Sequence, residues 1–194
     1  MADGRVITGF SLPYVALYAH TGTTITYSSG SILARGVSVS VEAEDAGDDN
    51  IFYANNGAAE IAPTSFKGAD ATLTVDGLLS SAEALIFGLP SADGDGFYNY
   101  TGGTNPPYVG IGFVCRYMSE GSTSYVPVVL TKAKFNLANL SAATQEEDID
   151  WQTQELVAKC VLDDSATPMW KRVGTAQSTE ASAVSLIKTA LQIS

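Results

Sequence analysis

The sequence is poor in the residues on which most enzymatic sites depend. Its 194 residues include one histidine, His20, and two cysteines, Cys115 and Cys160. A Ser/His/Asp or Cys/His catalytic group would need that single histidine, and so few nitrogen and sulfur donors cannot form a zinc tetrad. The sequence also has no Gly-x-Ser-x-Gly nucleophile elbow and no glycine-rich phosphate-binding loop. We therefore expect no enzymatic activity, no metal and no cofactor.

Charge is scarce as well, and basic charge most of all. Charged residues make up 16% of the chain, whereas about 25% is usual for soluble proteins. Asp and Glu number 21 against 10 Lys and Arg, which gives a formal net charge of −11. A thinly charged surface suggests that other subunits cover part of it. The negative charge opposes binding to nucleic acid or to anionic lipid.

Long apolar runs and a secretory signal pattern are also missing. No stretch approaches the roughly 18 apolar residues of a membrane helix, so we expect no membrane insertion. The first residues lack a basic segment followed by an apolar one, so we expect no signal peptide and reduced thiols. A disulfide between Cys115 and Cys160 remains open. Hydrophobic residues reach 45%, which excludes an intrinsically disordered chain.

Two segments alternate apolar and polar residues in the way that is typical of β-strands, over residues 35–45 and 65–76. Period two places alternate side chains on opposite faces. We therefore predict a long antiparallel pair with one buried face and one wet, acidic face, joined by a loop over residues 45–64. The predicted buried residues are Val37, Val39, Val41, Ala43, Ala69, Ala71, Leu73 and Val75, and the predicted polar residues are Ser38, Ser40, Glu42, Glu44, Asp70, Thr72, Thr74 and Asp76.

Two helices complete a mainly β (α+β) fold in a single domain, 1–194. Ser80 and Glu83 fit a capping box, and Gly88 predicts the end of a short helix. A second helix is predicted over 178–192, capped by Ser178 or Thr179. Further strands are predicted at 109–118, 124–137 and 149–162, with a long loop at 91–108. Residues 1–34 are typical of an N-terminal arm or of edge strands.

The residues leave weaker site hypotheses open. Asp93-Gly94-Asp95-Gly96 resembles the start of a calcium loop, but Phe97 stands at a ligand position and no glutamate closes the loop, so turn residues are favoured. Adjacent carboxylates such as Asp163 and Asp164 leave a hydrolase as a third-ranked alternative. Five aromatic residues leave a monomeric β-sandwich binding module, carbohydrate-binding or adhesin-like, as the second-ranked alternative. They are Tyr98, Tyr100, Tyr108, Trp151 and Trp170.

Four stretches, in this order, resemble the major tail proteins (tail tube proteins) of siphophages that infect Gram-positive bacteria. The likeness spans about residues 5–192 and includes the alanine-rich final helix. The stretches are Asp48-Asp49-Asn50-Ile51-Phe52-Tyr53-Ala54-Asn55-Asn56-Gly57, Leu73-Thr74-Val75-Asp76-Gly77-Leu78, Ile149-Asp150-Trp151-Gln152-Thr153-Gln154-Glu155-Leu156 and Trp170-Lys171-Arg172-Val173-Gly174.

This resemblance implies a structural virion protein with a tail-tube-type β-sandwich or half-barrel fold. Hexameric rings of such subunits would stack into a non-contractile tail tube that conducts DNA during ejection. The tail terminator, tape measure and baseplate proteins would be its virion partners, after synthesis in the host cytoplasm. The expected lumen residues are Ser38, Ser40, Glu42, Glu44, Asp70, Thr72 and Thr74, and the expected subunit or ring contacts are Phe10, Leu12, Tyr14, Ile51, Phe52 and Tyr53.

Overall fold

The computed structural model describes residues 4–46, 51–54, 57–61, 65–137, 144 and 152–193. Within these ranges, only the backbone is described for 45–46, 51–54, 57–61 and 65. The described part of the chain contains ten strands and two helices. They are β1 (Val6–Thr21), β2 (Thr24–Ile32), β3 (Gly36–Ala46), β4 (Ile51–Ala54), β5 (Gly57–Ile61), β6 (Ser65–Val75), α1 (Ser80–Phe87), β7 (Tyr108–Ser119), β8 (Ser122–Phe135), β9 (Gln154–Cys160), β10 (Lys171–Val173) and α2 (Glu180–Ala190).

Most of the strands form one antiparallel sheet in the order β2-β1-β7-β8-β9-β6-β3, and β10 pairs with β8. This confirms the mainly β fold with two helices. The predicted long pair is β3 with β6, in which Ser40 lies opposite Thr72 and Glu42 opposite Asp70. The 45–64 segment contains a separate hairpin of β4 with β5, in which Ala54 pairs with Gly57. Residues 55–56, between these two strands, lie outside the described residues.

The sheet curls around its main hydrophobic core, which we call the inner core. Leu73, Ile86, Phe135 and Leu156 are almost fully buried there, and they come from β6, α1, β8 and β9. Burial of each such side chain stabilises the fold by roughly 1.5–3 kcal/mol. The curl brings β3 up to β1, where a Cβ added at Gly36 would collide with the Phe10 ring.

α2 covers the opposite face of the sheet, over β1, β7 and β8. Ala183, Ile187 and Leu191 are buried against residues that include Val114. Gly112 permits this close approach, because a Cβ there would collide with Ile187. The predicted cap is confirmed: the Thr179 side chain accepts a hydrogen bond from the Ser182 backbone N–H.

The short helix α1 is confirmed, but its predicted N-cap is wrong. Leu79 occupies the N-cap position, and no side chain caps the helix. The Glu83 carboxylate accepts a hydrogen bond from the Tyr100 hydroxyl at 2.7 Å. Glu83 therefore holds the loop that follows the helix and does not take part in a capping box. Gly88 ends the helix as predicted, in the left-handed conformation with φ 66°.

The N-terminal segment is not a free arm over its described residues, 4–34. β1 pairs with β2 on one side and with β7 on the other, and Val15 and Ala16 are fully buried. The edge-strand alternative fits β2, which ends the sheet. Hydrogen bonding on both sides therefore makes β1 part of the domain itself.

The predicted buried face of β3 is also wrong in part. Val37 is 54% exposed, Val39 and Val41 are only half-buried, and Ala43 is exposed. The equivalent face of β6 is buried, as predicted, at Ala69, Ala71, Leu73 and Val75. The difference arises because β3 is an edge strand, and a cleft separates its apolar face from β1 and β7.

The remaining predicted segments match with shifted ends. β7 and β8 occupy the predicted ranges to within two residues at each end, and β9 ends at Cys160. Residues 149–151, at the start of the third predicted strand, lie outside the described residues. Cys115 and Cys160 are both free thiols and both buried, so no disulfide joins them.

Candidate assembly surfaces

The outward side chains of β3, β6 and β9 form a mostly polar face, interrupted by the half-buried Val157 opposite Thr72. Ser38 lies opposite Thr74, and its hydroxyl donates a hydrogen bond to the Thr74 hydroxyl at 2.9 Å. The Ser40 hydroxyl donates to Glu42 Oε1 at 3.3 Å. These side chains are exposed or half-buried, and neither helix packs on them. The members of this polar face are Ser38, Ser40, Glu42, Glu44, Asp70, Thr72, Thr74, Glu155 and Lys159.

Lysines moderate the acidity that the sequence predicts for this face. The Lys159 ammonium lies 3.0 Å from the Asp70 carboxylate, and the Lys67 ammonium lies 3.6 Å from that of Glu44. The hydrogen bond and charge of Asp70 raise the pKa of Lys159, which keeps it protonated. Glu42 and Glu155 have no ion pair among the described residues. Carboxylates therefore outnumber ammonium groups on the polar face.

Strand register extends one row of this face in a way that sequence reasoning missed. Glu42 pairs with Asp70, Asp70 with Lys159, Lys159 with Lys134, and Lys134 with Tyr108. The row thus changes from acidic at the β3 edge to basic and then aromatic on β8 and β7. The alternation of Glu155, Val157 and Lys159 could have indicated the outward face of β9, but not which residues stand beside it.

The sheet has two open edges in the described part of the chain, the outer sides of β2 and β3. An unpaired edge presents a row of backbone N–H and C=O groups to any strand that can align with it. β2 is nine residues long and β3 eleven, so neither edge is short. The β2 edge is accessible to solvent but carries no charge there, since its exposed side chains include Thr24, Thr26 and Ser28.

The predicted contact residues on β1 are largely occupied within the subunit. Tyr14 is 6% exposed, and Phe10 packs edge-on against Phe113 with ring centroids 5.5 Å apart. Leu12 is half-buried in the core beneath α2. These three side chains therefore contribute to packing within the subunit, and their role in contacts between subunits stays a prediction. The side chains of Ile51, Phe52 and Tyr53 lie outside the described residues.

A cluster of charged and aromatic groups lies where β1 and β8 meet the segment 161–170. Asp164 Oδ2 accepts hydrogen bonds from the Lys132 ammonium and from the Tyr18 hydroxyl, each at 2.6 Å. The Nε2 atom of His20 lies 3.8 Å from the same oxygen. The hydrogen bonds from Lys132 and Tyr18 lower the pKa of Asp164. Burial, and then the bond to Asp164, raises the pKa of Tyr18 to about 12.

This cluster favours a structural role. Tyr18 and Lys132 both donate hydrogen bonds to Asp164. The Lys132 ammonium also lies 4.8 Å from the centre of the Tyr108 ring. Next to it, Asp163 is 4% exposed, and its Oδ1 accepts three hydrogen bonds, from Ser165 N, Ser165 Oγ and Met169 N. The adjacent carboxylates thus fasten a loop to the sheet.

The loop before β7 carries the other residues that the sequence singles out. Asp93 accepts hydrogen bonds from Asp95 N, Phe97 N and the Asn99 side chain, so it has the turn role that was favoured over a calcium ligand. Tyr100 is tied to Glu83, and Tyr98 is half-buried. Trp170 stacks on Phe66 with ring centroids 4.8 Å apart, while Trp151 lies outside the described residues.

The described residues contain no group of three or more His, Cys, Asp or Glu side chains placed to hold a metal ion. Neither helix in the described ranges is long and apolar enough to cross a membrane. Comparison of the chain with protein-family models and with curated proteins gave no match.

Proposed function

We propose that this protein is a structural subunit that assembles with copies of itself into rings and a hollow tube, as the resemblance to tail tube proteins implies. Two observations carry the proposal. The sheet has two long open edges among the described strands, and the polar face beside the β3 edge is covered by neither helix. A monomeric protein normally protects such edges from pairing with other chains, which avoids aggregation. In a closed ring, each edge is instead hydrogen-bonded to the neighbouring subunit.

Assembly through the edges explains the composition of the subunit. Strand addition between β3 of one copy and β2 of the next uses two different surfaces, and such a contact closes into a ring when the rotation is right. The exposed backbone groups of both edges then gain partners. The low content of charged residues also suits a subunit much of whose surface faces other copies.

The polar face lines the channel in this proposal. Ser38, Ser40, Thr72 and Thr74 offer hydroxyl groups to water, and the carboxylates of Glu42, Glu44 and Asp70 outnumber the adjacent ammonium groups. DNA carries about one negative charge per 1.7 Å of its axis. A weakly acidic, hydrated wall repels it without a specific contact, so DNA slides through without binding. No catalytic step or cofactor is part of this function.

The proposed setting is the virion tail. There, the tail terminator, tape measure and baseplate proteins would contact the ends and the interior of the tube. Assembly would begin in the cytoplasm of the bacterial host.

Electron microscopy of the concentrated, negatively stained protein tests the proposal directly. Rings or tubes with a central hole are the expected result. A persistent monomer that binds glycans would instead support the carbohydrate-binding or adhesin-like alternative. Glycan hydrolysis that is lost when one carboxylate is replaced would support the hydrolase alternative.

A charge reversal tests which residues face the channel. Glu42→Lys should leave assembly intact but make the tubes retain short double-stranded DNA at low salt, because it removes repulsion and adds a cation. Glu120→Lys, in the turn between β7 and β8, makes the same charge change away from the polar face and is the matched control. Equal DNA retention by the two variants in co-sedimentation would contradict a channel position for Glu42.

A further inference from the structure

The loop over residues 93–99, which we call the acidic loop, holds an aromatic side chain out in solvent. Phe97 is 67% exposed. The Asp93 carboxylate accepts hydrogen bonds from Asp95 N at 3.1 Å, Phe97 N at 2.9 Å and Asn99 Nδ2 at 2.8 Å, and Asp93 N donates to Phe97 O at 2.9 Å. These bonds fix the backbone around Phe97, so a partner could bury the ring without first ordering the loop.

An apolar cleft elsewhere on the molecule is open to such a ring. It has a volume of about 480 Å³ and lies between β3 and the strands β1, β7 and β10. No described residue of the acidic loop borders it. The cleft explains why the apolar face of β3 stays exposed, at 54% for Val37. Its apolar walls include Phe10, Val37, Val39, Phe113, Tyr117 and Val173.

Charge makes the two surfaces complementary. The Arg5 guanidinium lies 4.6 Å from the centre of the Tyr117 ring, and Lys171 lines the cleft. The loop offers Asp93 and Asp95, and the bonds from Asn99 and from the backbone lower the pKa of Asp93, which keeps it charged at neutral pH. Glu42 and Glu44 belong to the opposite face of β3. In a chain with only 10 basic residues, two of them beside one apolar cleft favour an acidic occupant.

The two surfaces lie toward different ends of β7. The loop segment joins β7 at Tyr108, and the Lys134 ammonium fixes its end by a bond to Asn105 at 2.7 Å. The cleft is lined by the later half of the strand, up to Tyr117. At about 3.3 Å per residue, Tyr108 and Tyr117 are roughly 30 Å apart along β7. This separation favours a contact between two copies, joined head to tail.

We propose that Phe97 of one copy inserts into the apolar cleft of a second copy, with Asp93 and Asp95 beside Arg5 and Lys171. This inference rests on the proposed self-assembly and names one of its contacts. A head-to-tail contact of this kind uses two different surfaces, so it can repeat from copy to copy without limit. It differs from the strand pairing of β2 with β3, because that pairing uses the backbone edge of β3 whereas this contact uses its apolar face.

Sedimentation velocity on the full chain and its variants tests the contact. Phe97→Ala and Val37→Glu should each weaken self-association about 30-fold or more, since each removes one side of a buried anchor. Leu79→Ala changes an equally exposed side chain, at 63%, outside the cleft and the acidic loop, and should leave association unchanged. Val37 and Phe97 are exposed, and circular dichroism should show that both variants stay folded.

Mixing the two variants gives the deciding result. Phe97→Ala retains an intact cleft and Val37→Glu retains an intact Phe97, so the mixture should associate more strongly than either variant alone. Assembly of the wild type that neither variant weakens would overturn this contact while leaving the proposed function in place. A mixture no better than its components would also overturn it. A wild type that stays monomeric at every concentration would overturn both the contact and the proposed function.

Discussion

Glu42 and Asp70 lie directly opposite each other on adjacent strands, and the Lys159 ammonium sits 3.0 Å from the Asp70 carboxylate. Like charges in such cross-strand positions destabilise a sheet. The lysine from the third strand offsets this repulsion in part. The subunit thus keeps two neighbouring carboxylates on an open face, at some cost to the stability of the sheet.

Removal of one of these carboxylates should stabilise the isolated subunit. Glu42→Gln should raise the free energy of unfolding by about 0.2–1 kcal/mol at low salt, because it removes the repulsion across the pair. The gain should shrink at 1 M salt, where charges are screened within about 3 Å. Urea denaturation measures both values. Glu155→Gln, opposite Thr74, is the control, and an equal gain there would contradict the pairwise explanation.

Loss of the Tyr18 hydroxyl should lower the stability of the fold at neutral pH but not in strong alkali. Tyr18→Phe removes its bond to Asp164 and should lower stability by about 1 kcal/mol at pH 7. The folded-state pKa of about 12 exceeds the ordinary value near 10, so folding favours the protonated phenol. That contribution is present below pH 10 and is lost as the pH rises toward 12.

Chemical denaturation at pH 8 and at pH 11 measures this effect. The difference between Tyr18→Phe and the wild type should narrow at the higher pH. Tyr98→Phe is the control, since the described structure gives its hydroxyl no hydrogen bond. A difference that stays constant from pH 8 to pH 11 would contradict the altered titration of Tyr18.

Asp164 should show the opposite dependence. Its pKa is lowered by the bonds from Lys132 and Tyr18, so folding favours the carboxylate. The stability that it contributes is full above the ordinary aspartate pKa of about 3.9 and is lost as the pH falls through the lowered value. Asp164→Asn should therefore lower the Tm at pH 7 more than at pH 2.5. Asp95→Asn is the control, because the Asp95 side chain has no described hydrogen bond. Its effect on the Tm should be the same at the two pH values.

The buried Asp163 should be the more costly of the two adjacent carboxylates to remove. Asp163→Ala leaves three donors without their acceptor beneath the 163–169 segment and should cost roughly 2–4 kcal/mol. Asp163→Asn keeps an oxygen for those donors and should cost less. Denaturant titration of the two variants tests the ranking. Equal losses would mean that the charge, and not the acceptor, stabilises the segment.

Close packing of α2 on β7 gives a test of the second layer. Gly112→Ala should destabilise the fold by about 1–3 kcal/mol, because the new methyl group meets Ile187. Gly102→Ala places the same methyl group where no atom lies within 4 Å. The Tm of the second variant should stay close to that of the wild type. Similar losses in both would contradict the steric explanation, since restriction of the unfolded chain by alanine favours folding.

The sequence predicted the elements whose signals are local. Alternation marked the polar sides of β3 and β6, Gly88 marked the end of α1, and Thr179 marked the start of α2. Such signals depend on residues within one or two turns or pleats, and no distant partner is needed to interpret them. The Ser80 capping box failed because Ser80 is the first residue of the helix, and Leu79 occupies the N-cap position before it.

The position of β1 could not be predicted in the same way. Its residues are a hundred positions away from β7, and nothing in the stretch from Gly4 to Tyr18 indicates that Phe10 will stand opposite Cys115. A strand that is hydrogen-bonded on both sides and a free extended arm have similar local sequences. The distinction lies in the partner strands, which only the folded chain brings together.

The sequence by itself determined which side chains of each strand share a face, because the pleat repeats every two residues wherever the strand lies. The tertiary structure decided which faces are covered and which residues become neighbours. It set Lys159 beside Asp70, left Val37 over an open cleft and kept the edges of β2 and β3 free. Those outcomes depend on strand order and register, which arise from contacts between distant parts of the chain.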